Sequence, residues 1–319
     1  MRVLATTNMQ DDLHIPVMLD EAVAALAVRP DGNYLDGTFG RGGHARKLLR
    51  QLGVQGRLLL MDRDPAAVAA ARHEFESDGR VAIRHGNFAD MADWDAVRGG
   101  LDGVLLDLGV SSPQLDNGAR GFSFQTDAPL DMRMDPSHGE NAAQFLARAK
   151  ESEIADVLWK FGEERMSRRI ARAIVERRRA EPIERTGDLA ELVERLLGRR
   201  KDTHKGGGKH PATRTFQALR IAVNGELDAI EQGLNAALDC LKPQGRLAVI
   251  SFHSLEDRIV KQFMRDESQA PPAKRGLPPP APVAFRLKLI GHAQLPGDAE
   301  LLRNPRARSA VLRVAERLP

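Results

Sequence analysis

Four short apolar runs alternate with helical patterns in the first third of the chain. The runs are Asn33 to Asp36, Arg57 to Asp62, Arg80 to Arg84 and Gly103 to Asp107. The stretches between and before them have helical periodicity, at Asp20 to Val28, Ala45 to Leu52 and Pro65 to Phe75. Continuously apolar strands are typical of parallel sheets whose two faces are covered by helices. The alternation therefore predicts an α/β fold built on a parallel sheet.

The alternation stops near residue 115 and resumes near residue 215. Residues 113–141 follow no period, and an irregular segment of that length is usually functional. The stretch from Ala142 to Leu197 has helical patterns throughout. We therefore expect an α/β domain in two parts, residues 1–115 and 215–319, interrupted by an all-helical insertion domain at residues 116–214.

The second part of the α/β domain opens with a long amphipathic pattern. Apolar side chains recur every three or four residues from Phe216 to Leu241, which predicts one long helix beginning near Thr215. A buried strand is expected at Arg246 to Phe252, followed by a helix that a capping box at Ser254 to Asp257 opens. A last strand is expected at Ser309 to Val314.

Positive charge is concentrated in two parts of the chain. The net charge is only +3, yet residues 160–214 hold sixteen Lys and Arg against nine Asp and Glu, and residues 274–319 hold nine against three. Such clusters suit a polyanionic partner, although solvated helix faces give the same pattern. No apolar run approaches the roughly 20 residues of a membrane span, the N-terminus lacks a secretory pattern, and the single Cys240 excludes an intrachain disulfide. We expect a cytoplasmic protein without membrane contact.

The turn after the first apolar run combines an acid with bare backbone. Gly40 to Ala45 matches the dinucleotide fingerprint G-x-G-x-x-[GA], a weak signal by itself. A dinucleotide would place its pyrophosphate at this turn, where Asp36 would repel it. S-adenosylmethionine has no phosphate and carries an ammonium and a sulfonium, which a carboxylate attracts. A nicotinamide-dependent oxidoreductase is the alternative, supported only by the glycine spacing.

The ends of the later strands also carry polar or aromatic side chains. Asp62 ends the second run, where a carboxylate can accept from two ribose hydroxyls. Phe88 follows the third run and is expected to pack on adenine, with Asp90 or the backbone contacting the adenine amino group. Asp107 ends the fourth run, beside the expected methyl group. Each acid alone is equally consistent with a helix cap, but together they indicate a ligand crevice at one edge of the sheet.

Long motifs with recognisable sequence occur in order from His14 to the end of the chain. They are HIPVMLDEAV at His14, YLDGTFGRGGH at Tyr34, MDRDP at Met61, LLDLGVSSPQLD at Leu105, RGFSF at Arg120, PLDMRMD at Pro129, GEERMSRRIARAIVE at Gly162, HPATRTFQALRIAVN at His210, ISFHSLEDRIVK at Ile250 and NPRARSAVLRVAE at Asn304. The sequence resembles the bacterial small-subunit (16S) rRNA cytosine-N4 methyltransferase family, RsmH (also called MraW).

The resemblance implies a Rossmann-like, S-adenosylmethionine-dependent methyltransferase sheet with a helical insertion domain. It also implies a cytidine target in the decoding region of the small-subunit rRNA. The cofactor contacts that it implies are Gly42, Gly43, His44, Asp62, Phe88, Asp107 and Gln114, and this sequence keeps the family's residue at each. Asp36 is a further candidate cofactor residue, because it lies at the end of the first strand; the resemblance does not imply it.

Methylation of a cytosine amino group requires alignment of the nitrogen and an acceptor for its proton. Many amino-methyltransferases place Asp/Asn/Ser-Pro-Pro-aromatic after the fourth strand for this purpose. The matching place here begins at Asp107 but lacks the prolines and the aromatic residue. Asp107 is therefore the first candidate acceptor, with Ser111 or Ser112 as alternatives.

The target base must leave its stack to react. Arg120, Phe122 and Phe124 are expected either to stack on that base or to pack the irregular segment onto the domain. His253, beyond the predicted fifth strand, is expected either to orient the substrate or to cap a helix.

RNA contacts are expected at the start of the long helix, where Arg214 and Arg220 would hold a phosphate, and in the helical insertion with its basic stretch from Arg199 to Lys209. No HExxH motif and no Cys/His cluster occurs, so the sequence gives no case for a catalytic metal. The oligomeric state stays open, a homodimer included. A non-catalytic RNA-binding assembly factor is a further alternative.

Overall fold

A seven-stranded sheet forms the centre of the molecule. The computed structural model describes residues 16–198, 210–270 and 284–319. The strands are β1 (Asn33–Asp36), β2 (Arg57–Asp62), β3 (Val81–His85), β4 (Leu101–Asp107), β5 (Leu241–Ser251), β6 (Leu287–Leu289) and β7 (Val311–Arg317). Their order across the sheet is β3-β2-β1-β4-β5-β7-β6. Successive residues of β4 are buried on both faces, which explains its continuous apolar run.

The direction of chain progress across the sheet reverses beside β1. This strand pairs in parallel with both β2 and β4, so the chain first adds strands on one side of β1 and then on the other. In open α/β sheets, ligands bind at the carboxyl ends of the strands next to such a reversal. The strand-end acids Asp36, Asp62 and Asp107 all lie at this edge, as the sequence predicted.

The last two strands depart from the predicted parallel sheet. β7 runs antiparallel to β5, and β6 runs antiparallel to β7. The apolar pattern near Ser309 correctly predicted a strand, but such a pattern contains no information on strand direction. β6 has only three residues, too few to produce a recognisable apolar run.

Twelve α-helices surround the sheet or form the insertion within the part of the chain that the structure describes. They are α1 (Leu19–Ala25), α2 (Gly43–Gln51), α3 (Pro65–Phe75), α4 (Ser112–Asp116), α5 (Ala142–Arg148), α6 (Glu151–Gly162), α7 (Ser167–Ala180), α8 (Thr186–Leu197), α9 (Thr213–Asn224), α10 (Glu226–Cys240), α11 (Ser254–Asp266) and α12 (Asp298–Arg303). α3 has its predicted bounds because Pro65 occupies the first turn and the Asp64 carboxylate accepts from Ala66 N at 3.0 Å.

The helices α5 to α9 enclose a hydrophobic core that is separate from the two cores on the faces of the sheet. Ile154, Leu158, Ile170 and Leu189 are buried in it, and Phe216 of α9 packs among them. This core therefore extends past residue 214, where the sequence placed the end of the insertion, because α9 packs with the helical domain.

The predicted single helix from Thr215 to Leu241 is wrong, because the structure divides it into α9 and α10. Gly225 separates the two helices in the left-handed conformation, with φ 57° and ψ 37°. Glycine adopts this conformation without the steric cost of a Cβ atom and commonly ends helices in this way. The apolar spacing continues across Gly225, so periodicity alone conceals the break.

Asn224 fixes the irregular segment between α4 and α5. Its Oδ1 accepts from Met134 N at 2.7 Å, and its Nδ2 donates to Met132 O at 2.7 Å. Arg120 donates to Arg133 O at 3.1 Å and to Met134 O at 2.8 Å. The Asn224 bonds tie the segment to the end of α9, and the Arg120 bonds join two parts of the segment to each other.

Candidate active site

A cavity of about 310 Å³ opens at the carboxyl ends of the central strands. Its walls come from the turn after β1, the end of β2, the segment after β4, the first turn of α10 and the connection from β5 to α11. The predicted cofactor residues in its walls are Gly43, His44, Asp62, Phe88, Asp107 and Gln114. Asp36 and Gly42 do not line the cavity, but each directly precedes a residue that does.

The glycines of the turn after β1 are required by close contacts with other protein atoms as well as by the cavity. Gly40 and Gly42 have φ angles of 55° and 74°, a region that favours glycine. A Cβ atom on Gly42 would lie 2.6 Å from the Phe39 ring, and one on Gly43 would overlap Pro16. The bare backbone therefore serves local packing at Gly42 and both packing and the cavity wall at Gly43.

Asp62 anchors the glycine turn to the end of β2. Its Oδ2 accepts from Gly40 N at 2.8 Å, and its Oδ1 accepts from Asp64 N at 2.8 Å. Burial raises the pKa of Asp62 to about 6, although the two N–H groups act in the opposite direction. Carboxylate oxygens have further acceptor sites, so Asp62 can still accept from ligand hydroxyls.

Gln114 is buried in the wall and its amide is held at both ends. The Oε1 atom accepts from Ser111 N at 3.0 Å, and Nε2 donates to Asp64 Oδ2 at 2.9 Å. Arg120 Nη1 donates to the same Asp64 oxygen at 2.8 Å. Ser111 and Ser112, the alternative acceptors from the sequence, stand at the beginning of α4 and also line the cavity.

Asp107 brings an incompletely bonded carboxylate to the cavity. Its Oδ1 is buried and has no hydrogen-bond partner among the residues that the structure describes. His44 Nδ1 lies 3.9 Å from Asp107 Oδ2, while His44 Nε2 lies 3.2 Å from Val17 O. Burial, together with the charges of Asp36 and Glu256, raises the pKa of Asp107 well above its usual range. Burial also raises the pKa of Asp36 to about 7, so two neighbouring acids with raised pKa values lie at this edge of the sheet.

Phe88 lines the cavity and packs against α10, where a Cβ atom on Gly233 would overlap its ring. Asn87 Oδ1 accepts from Ala89 N at 3.1 Å and fixes the start of this turn. Asp90 is exposed and lies outside the cavity wall. Asp90 is therefore not part of the cavity wall, and contact between backbone and an adenine amino group stays a prediction.

The RGFSF motif packs within the protein. Phe122 is buried in the core of the helical domain. The ring centroid of Phe124 lies 4.6 Å from that of His210 and 4.7 Å from that of Phe216. With Arg120 paired to Asp64, these contacts favour the packing alternative over stacking on a base.

One wall of the cavity consists of a charged cluster that the sequence did not predict. Arg220 donates to both carboxylate oxygens of Glu226 at 2.8 Å. Its Nη2 also lies 3.4 Å from His253 Nε2 and 4.0 Å from Glu256 Oε1. Arg220 is thus neutralised inside the protein, which contradicts its predicted role as a phosphate contact. Arg214 is exposed and keeps that prediction.

His253 caps α11, which is one of its two predicted roles. Its Nδ1 accepts from Glu256 N at 3.4 Å. The Glu256 Oε2 atom in turn accepts from Phe252 N at 2.7 Å and from His253 N at 3.2 Å. The capping residue is therefore His253 and not Ser254, because the chain leaves its extended conformation one residue earlier than the sequence pattern indicated.

The same cluster contains the one group of metal-ligand type found among the described residues. Ligand atoms of Glu226, His253 and Glu256 lie within 4.8 Å of one another. Arg220 already supplies a positive charge to these carboxylates, so the group is internally compensated. The sequence contains no local signal for this group, because Glu226 lies in the middle of the single long helix predicted there and begins a helix only in the structure.

Comparisons with known proteins identify the family of this chain. Residues 11–318 match the MraW methylase family. A protein named ribosomal RNA small subunit methyltransferase H from Stenotrophomonas maltophilia (strain K279a) is 59% identical over 305 residues, which covers 96% of this chain and 93% of that protein. Its namesake from Xanthomonas euvesicatoria pv. vesicatoria (strain 85-10) is 59% identical, with 96% and 89% covered. A solved rRNA methylase from Streptococcus thermophilus is more distant, at 10% identity, a TM-score of 0.41 and 94% coverage of each chain.

The cavity fits the methyl donor that such enzymes use. The buried Oδ1 of Asp107, which has no partner among the described residues, and the acids around it suit a cationic ligand. Asp62 offers acceptors to hydroxyl groups, and Phe88 offers an aromatic ring in the same wall. The chain belongs to the MraW methylase family and is an S-adenosylmethionine-dependent methyltransferase.

Proposed function

We propose that this enzyme methylates the exocyclic N4 of a cytidine in the decoding region of 16S rRNA. The observation that carries the proposal is the 59% identity, over 96% of the chain, to proteins named ribosomal RNA small subunit methyltransferase H. The acid-lined cavity at the sheet edge supports it with a place where a cationic methyl donor fits.

The cofactor residues divide by chemistry. Asp62 accepts from ribose hydroxyls, Phe88 packs on the adenine ring, and Gly43 allows close approach of backbone. The Asp107 carboxylate faces the cation, with His44 beside it and Gln114 completing the wall. Asp36 and Gly42 do not line the cavity. Asp36 contributes a nearby negative charge, and Gly42 contributes the conformation of the turn. When bound, S-adenosylmethionine supplies an electrophilic methyl group on sulfur.

The target nitrogen must meet the methyl group in line and lose a proton to an acceptor. Among the residues predicted for that task, Asp107 is also the carboxylate that faces the cofactor. Ser111 and Ser112 line the cavity and can accept or donate hydrogen bonds as hydroxyls. These three residues remain proposed contributors to orientation of the amino group.

The helical domain is proposed to bind the RNA. On and beside α7, the exposed side chains Arg165, Arg168 and Arg169 make no ion pair among the described residues. Positive side chains of this kind contact phosphates and give RNA binding its salt dependence. The basic stretch from Arg199 to Lys209 lies outside the described residues, and its role stays a prediction from the sequence.

Location and assembly are the remaining parts of the proposal. Within the described part of the chain, every helix is too short or too polar to cross a membrane. The proposed ribosomal RNA substrate supports a cytoplasmic enzyme. A homodimer stays an alternative to a monomer, and light scattering of the purified protein distinguishes the two.

Transfer of a labelled methyl group tests the function directly. Purified enzyme is incubated with labelled S-adenosylmethionine and either naked 16S rRNA or small ribosomal subunits lacking the modification. Nuclease digestion and chromatography then identify the labelled nucleoside. We expect N4-methylcytidine in at least one substrate. Label in a different nucleoside, or none in either substrate, would refute the proposal.

A further inference from the structure

Glu256 lines the cavity next to the strand end that carries Asp107. A Cβ atom built on Gly109, two residues after Asp107, would lie 3.6 Å from Glu256 Oε1. Both Gly109 and Glu256 line the cavity. The Glu256 carboxylate therefore borders the end of β4, where amino-methyltransferases place the group that contacts the target nitrogen.

The two oxygens of Glu256 have different surroundings. Oε2 is fixed by the backbone N–H groups of Phe252 and His253. Oε1 is buried and accepts no well-aligned hydrogen bond within the described residues, although His253 Nε2 lies 3.1 Å away. One oxygen thus orients the carboxylate, while the other has His253 beside it and keeps acceptor capacity, because a carboxylate oxygen can accept more than one hydrogen bond.

The surrounding charges keep Glu256 ionised. Burial alone would raise its pKa, but His253 and the Arg220 guanidinium together lower the pKa below its usual value. The neighbouring Asp107 shows the opposite behaviour, since burial and nearby carboxylates raise its pKa. Of the two carboxylates beside the end of β4, Glu256 is therefore the one whose ionised form is favoured, and only the ionised form can accept a proton.

We propose that Glu256 Oε1 accepts the proton that the target amino nitrogen loses on methylation. As the nitrogen forms its bond to the methyl carbon, the carbon–sulfur bond breaks and its electron pair goes to sulfur. The nitrogen then carries a positive charge, and one N–H bond breaks. Its electron pair stays on nitrogen and the proton bonds to Oε1. The carboxylate also stabilises the developing positive charge before that transfer. This inference rests on the proposed methylation of a cytosine amino group.

His253 and Arg220 are positioning residues in this arrangement. His253 caps α11 and stands beside Oε1, while Arg220 links the helical domain to Glu226 and approaches Glu256. Arg220 lies on α9, which packs with the helical domain, whereas His253 lies at the start of α11 beside the sheet. Residues from both domains therefore position the Glu256 carboxylate.

Single-turnover methylation by Glu256→Gln tests the proposal. The amide oxygen of glutamine can replace Oε2 as acceptor for the two backbone N–H groups, which leaves an NH₂ group where Oε1 stood. At saturating S-adenosylmethionine and small-subunit rRNA, we expect the rate to fall by about 100-fold or more, the contribution typical of a positioned proton acceptor. Affinities for cofactor and RNA, measured by calorimetry and filter binding, should stay within about threefold of wild type. The matched control is Asp266→Asn, the same charge change at an exposed position of α11, which should leave all three values unchanged.

A Glu256→Gln rate within about threefold of wild type would overturn the assignment, as would a rate loss explained entirely by weaker cofactor binding. If the amide variant does not fold, Glu256→Asp replaces it, because this variant keeps the charge beside Arg220 but withdraws the oxygen by one methylene. Its rate must then fall at least about tenfold with cofactor affinity retained, or the assignment fails. The proposed function is judged separately, from the nucleoside that the wild-type enzyme labels. If the wild-type enzyme labels another amino group, the cytidine target is refuted, but the ratio of variant to wild-type rates still decides the role of Glu256. If the wild-type enzyme transfers no methyl group, the proposed function and the role of Glu256 are both refuted.

Discussion

Replacement of Asp36 by Asn should stabilise the free protein and weaken cofactor binding at the same time. Asp36 is 1% exposed, and its Oδ1 accepts from Thr38 N at 3.1 Å. The Asn side chain can accept the same bond, so the substitution removes mainly a buried negative charge. Burial of that charge raises the pKa of Asp36 from 3.8 to about 7, and the charge of Asp62 acts in the same direction.

The size of the stability effect follows from that change in pKa. A rise of this extent corresponds to about 4 kcal/mol against the ionised form in the folded state. Because the folded pKa lies above the unfolded value, the native protein holds the proton longer than the unfolded chain. Wild-type stability is therefore lost as pH rises between about 4 and 7. Asp36→Asn should be more stable than wild type by up to about 4 kcal/mol at pH 8, and this difference should shrink toward pH 5.

Urea unfolding of the free protein at pH 5 and pH 8 measures the effect, with Asp266→Asn as the exposed control of equal charge change. Calorimetry at pH 8 should show weaker binding of S-adenosylmethionine by Asp36→Asn, since the acid cluster beside Asp107 loses one charge. A stability difference that is absent at pH 8, or that is equal at both pH values, would contradict the buried-charge reasoning. Unchanged cofactor affinity would remove Asp36 from the cofactor site.

Three further predictions concern the cofactor and the RNA. Asp62→Ala should weaken S-adenosylmethionine binding by about 1–3 kcal/mol for each lost hydroxyl bond in calorimetry; an unchanged dissociation constant would exclude the ribose contact. Asp107→Asn should weaken cofactor binding and leave the single-turnover rate at saturating cofactor nearly intact, whereas a large loss of that rate at full occupancy would make Asp107 the proton acceptor. Combined replacement of Arg165, Arg168 and Arg169 by Ala should weaken RNA binding and flatten its salt dependence without changing cofactor affinity; the reverse pattern would move the RNA site elsewhere.

The sequence alone determined the central strands and the acids at their ends. Buried parallel strands must be continuously apolar, so β1, β2 and β4 were recognisable from single runs of residues. Asp62 and Asp107 follow those runs directly, and parallel strands end at a common edge, so their proximity required no knowledge of tertiary contacts. The bounds of α3 were also local, because Asp64 and Pro65 specify a helix start through their own backbone chemistry.

The break between α9 and α10 and the meeting of the buried charges depend on tertiary packing. The apolar period passes through Gly225 without interruption, so the division into α9 and α10 depends on the packing of each helix against a different core. The sequence predicts Arg220 as a phosphate contact from its place near a helix start. It does not show the pairing of Arg220, because the partners Glu226, His253 and Glu256 lie on other helices. Sequence patterns report interactions over a few neighbouring residues, whereas the pKa of a buried carboxylate depends on every charge and apolar wall around it, whichever part of the chain supplies them.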